Sequence, residues 1–313
     1  MRTYPPEGIL SQSQQNKYYL QTPDTLYEAM KEHCPVEGRA MLCDGDHNLI
    51  VDLGCMKGII PREDCALGIR EGTVKDIAIL SRVNKPVAFY ITSFEQDDQG
   101  VPYAVLNRCQ LQKDCRNDYL QHLTPGDVIP ARVTHLESFG CFADIGCGIV
   151  SLLPIDSISV SRISHPRDRF RVGQDIFCVV RSIDPDGKIC LTHKELLGSW
   201  EENARLFAPG ETVAGIVRSV EPYGIFVELT PNLAGLAELR EDVRPGQHAS
   251  VYIKSLIPEK MKVKLILVDS FQADYPLMEY HYTQTSGHME RFLYSPEHAE
   301  KTIETIFDHS TSQ

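Results

Sequence analysis

Few residues in this 313-residue chain are spaced for catalysis or metal binding. It has no P-loop, no G-x-S-x-G elbow, no H-E-x-x-H helix and no dinucleotide-binding glycine fingerprint. Glu201 and Glu202 are consecutive and would point apart on a helix, so they make no acid–base pair. Cys43 with His47, or Cys141 with Cys147, come nearest to a metal-ligand set. Lone pairs at such spacings fall short of paired CxxC motifs. We therefore expect a non-enzymatic protein with no metal and no cofactor. The chemistry that remains is cationic. Residues 158–171 carry Arg162, His165, Arg167, Arg169 and Arg171 against one acid, Asp168. Lys260, Lys262 and Lys264 alternate, which puts all three on one strand face. Both runs suit phosphate contacts, and each has a bland alternative as a merely solvated surface.

These cations sit in an acidic protein, with a net charge of −12. The acidity is uneven. Residues 269–313 hold two Lys/Arg against eight Asp/Glu, whereas 126–195 hold eight against nine and 210–268 hold seven against seven. That balance argues against tight nonspecific binding to duplex DNA, which needs many phosphate contacts. Single-strand binding driven by stacking is compatible with it. No stretch approaches the roughly 20 apolar residues of a membrane span, and the first residues lead into no apolar run. The ten cysteines form no CxxC pair, and several, such as Cys55, Cys178 and Cys190, fall in apolar runs. They read as reduced core thiols in a cytoplasmic protein with no membrane contact.

An internal repeat organises the elements that carry these residues. Gly-Asp-Val-Ile-Pro-Ala-Arg-Val at 126–133 recurs as Gly-Glu-Thr-Val-Ala-Gly-Ile-Val at 210–217, an offset of 84. The same offset relates Phe139-Gly140-Cys141-Phe142 to Tyr223-Gly224-Ile225-Phe226, and Asp144 to Glu228. A more divergent copy begins earlier, where Ile50-Val51-Asp52-Leu53 resembles Phe142-Ala143-Asp144-Ile145. This gives module one at 36–112, module two at 126–195 and module three at 210–269. Each reads as four or five short strands separated by Gly, Pro and Asp turns, with Asp184-Pro185-Asp186-Gly187 as a hairpin turn. An all-β chain of small closed barrels follows, since closure removes exposed edges. Helices belong between and outside the modules. Thr22-Pro23-Asp24 opens one through His33, after a polar stretch expected to be disordered within segment 1–35. Ser199-Trp200-Glu201-Glu202 is a capping box whose helix aligns Trp200, Ala204 and Phe207 against a barrel end. Ser295-Pro296-Glu297 opens a third helix in the acidic tail, 270–313, aligning Ala299, Ile303, Ile306 and Phe307.

The strings GDVIPARVTHLESFGCFADIG and GETVAGIVRSVEPYGIFVEL, with SRISHPRDRFRVGQ and RSIDPDGKICLTHKE, resemble the ribosomal protein S1 family over about residues 36–269. The resemblance implies three tandem five-stranded OB-fold barrels with short helical linkers. It also implies that single-stranded RNA, mRNA during translation, lies across strands two and three of a barrel and stacks on an F-G-x-F pair. In module two that pair is Phe139 and Phe142, with Gly140 supplying the backbone irregularity that could turn both rings to one surface. The implied flanking cations are Lys188, Arg162, His165, Arg167 and Arg169. Pro154 stands where many family members have a strand-three histidine. Module three keeps Tyr223 and Phe226, has Glu238 in the histidine position and lacks the basic loop, so Lys254, Lys260 and Lys262 are expected to compensate. Module one has His47 and Ile50 at the stacking positions, beside Asp44 and Asp46. By family analogy, residues 22–112 are candidates for contact with the small ribosomal subunit. The alternative is an adaptor whose barrels bind protein on the ribosome or an RNA-decay assembly.

Overall fold

The computed structural model describes residues 3–274 and 279–307. They form two compact units, one of residues 3–123 with 144–150, the other of 124–143 with 151 onward.

The first unit opens with α1 (Gln14–Tyr19), capped by Ser13, and α2 (Pro23–Lys31). The described residues before Thr22 form helical turns instead of the expected disorder. Asn16 explains why: its Nδ2 donates to the Glu37 carbonyl at 2.9 Å and its Oδ1 accepts the Glu37 N–H at 2.8 Å. A polar side chain thus takes the place of a pairing strand. Thr22 and Thr25 form the cap of α2, Pro23 enters its first turn, and Leu26 and Ala29 are buried. Burying a leucine fully contributes about 2 kcal/mol, which sets that face inward. The strands are β1 (Val36–Cys43), β2 (Leu49–Asp52), β3 (Lys57–Ile60), β4 (Pro86–Gln96) and β5 (Pro102–Asn107), with a short helix α3 (Ile77–Leu80) before β4. They close in the order β1-β2-β3-β5-β4. β3 and β5 run parallel and the other neighbours antiparallel. Leu49, Val51, Leu53, Ile60, Phe89 and Leu106 fill the interior. The helix α4 (Arg108–Asp118), capped by Asn107, follows. Sequence reasoning missed it, although Leu111 and Cys115, both buried, have helical spacing.

The middle sheet comprises β6 (Val128–Glu137), β7 (Gly140–Gly146), β8 (Ile149–Pro154), β9 (Asp175–Ile183) and β10 (Ile189–Thr192), and repeats the strand order of the first. The Asp184 turn joins β9 and β10 as expected, with the Asp184 carboxylate accepting the Lys188 N–H at 2.8 Å. After α5 (Trp200–Ala204), the strands β11 (Thr212–Glu221), β12 (Gly224–Thr230), β13 (Leu233–Ala237), β14 (His248–Ile257) and β15 (Lys262–Phe271) close in that order too. The Ser199 cap is present, and Trp200 and Ala204 pack into this third core with Phe207 beside them.

The tail departs from expectation. No helix forms from Ser295. Instead β16 (Arg291–Leu293) pairs with β17 (Glu304–Ile306). The β-branched Thr302, Ile303, Thr305 and Ile306 favour the extended form, and Tyr294 anchors it inside the third core, its hydroxyl donating to the Asn232 carbonyl at 2.7 Å. All ten cysteines are free thiols, six of them buried; Cys55 and Cys190 are only half-buried.

Candidate nucleic-acid interface

Two aromatic pairs share one geometry. The Phe139 and Phe142 ring centroids lie 6.1 Å apart with planes at 86°. Tyr223 and Phe226 lie 6.1 Å apart at 88°. The first ring of each pair is exposed, 55% for Phe139 and 69% for Tyr223, and the second is half-buried. Strand alternation does not separate them, because Phe139 and Tyr223 sit in the turn just before β7 and β12 begin. The intervening glycine is required by crowding. A Cβ on Gly140 would meet the Leu153 carbonyl oxygen at 2.5 Å, and one on Gly224 the Ala237 carbonyl oxygen at 2.5 Å.

From Phe226 a row of outward residues crosses the third sheet in register. Phe226 pairs with Leu236, Leu236 with Lys264, and Lys264 with Ser255. Lys262 shares the outward face of β15 with Lys264, and Lys254 is exposed on β14. Lys260 does not join them on the strand. It ends a 3₁₀ turn, Pro258–Lys260, and its Nζ lies 3.5 Å from Glu300. In the middle sheet the corresponding row runs Leu152, Cys190, Ser182. Lys188, two residues before Cys190, is exposed beside Asp186.

The basic loop of residues 158–171 divides. Arg162 and Arg167 are exposed. His165 caps a 3₁₀ turn, accepting the Arg167 N–H at 3.1 Å on Nδ1, and Asp168 returns the capping bond. Arg169 is a correction to the expected set of surface cations. It is 4% exposed, its Nε donates to Ser159 Oγ at 3.2 Å, and its guanidinium pairs with the buried Glu228. A buried carboxylate removes a guanidinium from solvent more effectively than loop composition can reveal. Sequence reasoning missed Arg218, which grips Glu228 through Nε at 2.7 Å and Nη2 at 3.0 Å. It also missed Arg181, exposed on β9, whose Nη1 donates to Ser157 Oγ at 2.8 Å.

The first barrel lacks this arrangement at the matching positions, its nearest ring and cation being Tyr103 and Lys57, paired one step further along β5 and β3. Its equivalent row is Leu42, Ile50, Ile59, Val105 and Ser93, with neither ring nor cation. His47 is half-buried at φ 65° in a turn that the Asp44 carboxylate ties by accepting the Asp46 and Asn48 N–H groups.

Ionisable groups away from these faces serve the fold. In the first unit Glu7, deeply buried, accepts Arg108 Nε at 2.7 Å and Arg82 Nη1 at 3.3 Å, while its own N–H donates to Asp144 at 2.8 Å. Burial opposes ionising Glu7, but the two guanidiniums prevail and hold its carboxyl below the usual range. Asp144, buried beside the Glu7 charge, is pushed up. In the second unit burial drives His193 down to about 4. Its Nδ1–H faces the Ile158 carbonyl at 2.8 Å and the Tyr282 hydroxyl lies 3.2 Å from Nε2, a pattern that suits the neutral ring.

With this geometry in view, residues 122–194 match the model of the S1 RNA binding domain. The chain is similar to small ribosomal subunit protein bS1 of Staphylococcus aureus strain COL, 28% identical over 231 residues, covering 69% of this chain and 57% of the relative. The bS1 homolog of Bacillus subtilis strain 168 is 31% identical over 198 residues, 62% of this chain and 49% of the relative. The chain thus spans about half the length of the curated relatives it matches. Among solved structures, a multidomain protein with nucleic acid binding domains from Streptococcus pneumoniae covers 79% of this chain at 15% identity and a TM-score of 0.24. Residues 122–194 thus match the S1 RNA binding domain, and similarity to bS1 extends well beyond that segment.

Proposed function

We propose that the chain is a tandem array of three S1-type barrels whose second and third members hold single-stranded RNA, acting on mRNA in cytoplasmic translation. The observation that carries this is the recurrence, 84 residues apart, of one exposed and one half-buried ring edge to face at 6.1 Å. Exposed rings are costly to a purely structural surface but serve as base platforms, each stacked base contributing about 1–3 kcal/mol with little regard to sequence. Lys188, Arg162 and Arg167 supply the phosphate contacts of the second module, with His165 orienting Arg167. Lys254, Lys260, Lys262 and Lys264 do so in the third. Joining two weak sites by a short linker raises avidity by ~100-fold or more. The relatives are ribosomal proteins by name, and residues 22–112, whose barrel row is apolar, supply the contact with the small ribosomal subunit.

The test is fluorescence anisotropy of the full chain with single-stranded RNA, single-stranded DNA and duplex RNA at two salt concentrations. The Phe139→Ala/Phe142→Ala variant should weaken single-stranded RNA binding by about tenfold or more. Unchanged affinity in that variant would remove stacking from the account. A protein-binding adaptor is the second reading, favoured only by the apolar row of the first barrel; RNA affinity absent from the wild type would support it.

A further inference from the structure

Within the second unit, a cleft of about 370 Å³ lies between the basic loop of the second module and the strands β11 and β12 of the third. That volume is within the range of small-ligand sites. Its walls bring together Arg167, Arg169, Arg218, Asp168, Glu228 and Tyr280. The charges do not cancel. Glu228 accepts Arg169 and both arms of Arg218, so one carboxylate serves two guanidiniums. Asp168 lies 3.8 Å from Arg218 Nη1 but spends its Oδ2 on the Ser164 N–H and hydroxyl and the His165 N–H. Three guanidiniums therefore face two carboxylates. Arg169 and Arg218 are largely withdrawn from water, with side chains 4% and 11% exposed. Glu228 and Asp168 match these two, so the surplus charge is that of Arg167 at the exposed rim of the cleft, where an anion from solvent can meet it.

The position of the cleft says which anion. Glu228 is two residues along β12 from Phe226 and on the same face, about 7 Å away along the strand. Arg218 sits in the β11 bulge between Val217 and Ser219, and Ser219 pairs with Phe226. The cleft therefore borders the platform of Tyr223 and Phe226, within reach of the backbone of a nucleic acid stacked there. We propose that this cleft binds a backbone phosphate of the RNA held by the third module, with Arg218 and Arg167 as its contacts; this rests on the RNA-binding reading above. The cleft then extends the aromatic platform of the third module, and Glu228 acts as the positioning residue that aims Arg218.

Ala214 is exposed at the wall of the cleft and makes none of these ion pairs, so Ala214→Glu adds a negative charge there without dismantling it. Arg167→Ala, also at an exposed position, removes one contact. Full chains are titrated into a labelled single-stranded RNA of about 12 nucleotides, long enough for more than one barrel, at about 50 and about 200 mM salt. Trp200 emission, from the single tryptophan, reports folding. Ala214→Glu should lower affinity about tenfold at low salt, and Arg167→Ala should make the slope of log affinity against log salt shallower by about 1. RNA carrying 4-thiouridine should crosslink to the peptide holding Tyr280. If both variants bind like wild type while Tyr223→Ala/Phe226→Ala weakens binding, the RNA passes elsewhere and the cleft proposal fails alone. If the aromatic variant also binds like wild type, the RNA reading of the third module fails and the cleft falls with it.

Discussion

The first and third barrels present the same strand order and the same outward row, filled in opposite ways. Ile50 stands where Phe226 stands, Ile59 where Leu236 stands, Val105 where Lys264 stands, and Ser93 where Ser255 stands. The turns before the second strand differ as well. Tyr223 precedes a glycine pressed against the Ala237 carbonyl, whereas His47 is locked at φ 65° by Asp44 and its N–H partners. The backbone is thus a neutral scaffold, and the difference in chemistry lives in one turn and a short row of side chains.

The largest effect should come from stripping both platforms. Phe139→Ala/Phe142→Ala combined with Tyr223→Ala/Phe226→Ala should cost at least about 4 kcal/mol of long-RNA binding, on the order of 1,000-fold, because four stacking groups are lost. Ile50→Ala in the first barrel should leave the same titration unchanged. An equal loss from Ile50→Ala would erase the distinction between the barrels.

A second contrast concerns the acid two residues beyond the ring position. Glu228 is buried under two guanidiniums, while its counterpart Asp52 is exposed and, among the described residues, accepts the Gly54 N–H alone. Glu228→Ala should destabilise the second unit by about 3–5 kcal/mol, since Arg169 is left buried without a carboxylate and Arg218 keeps only Asp168, 3.8 Å away. Asp52→Ala should shift stability by no more than about 0.5 kcal/mol. Chemical denaturation followed by Trp200 emission for the former, and by circular dichroism for the latter, measures both.

Acid should act on the second unit through His193. Its folded pKa of about 4 lies below the ordinary value near 6.5, so the unfolded chain binds the extra proton first. Stability from this group is complete above about pH 6.5 and is lost as pH falls toward about 4. The full shift amounts to about 3 kcal/mol. Denaturation midpoints read from Trp200 should fall across that window, and a flat profile would mean that His193 is not buried as the neutral ring.

What could be read beforehand follows from which interactions are local. The hairpin at Asp184 and the Ser199 cap are short-range patterns, and the 84-residue offset is a repetition of such local strings; each appears in the structure. Arg169 and the tail could not be read in the same way. Whether an arginine in a basic loop reaches solvent depends on an acid 59 residues away, and whether Ser295 starts a helix depends on where Tyr294 and Phe307 find a core. Asp144 and Glu228 did share the offset, and two acids at one outward strand position were the available sign that something covers them. Asn16 shows the converse error: polar composition suggests disorder, yet a side-chain amide can pair with a strand's backbone.

The smallest expected effect tests whether the row alone makes a platform. Ile50→Phe places a ring where Phe226 sits, on an outward position already half-buried and apolar, so the fold should tolerate it. One half-buried ring without its exposed neighbour offers little face to a base, and Asp44 and Asp46 remain beside it. RNA affinity should rise by less than about threefold, well below the ~1–3 kcal/mol of a full stack. A tenfold gain from Ile50→Phe would show that the side-chain row, and not the glycine turn that presents the second ring, is what separates a binding barrel from a silent one.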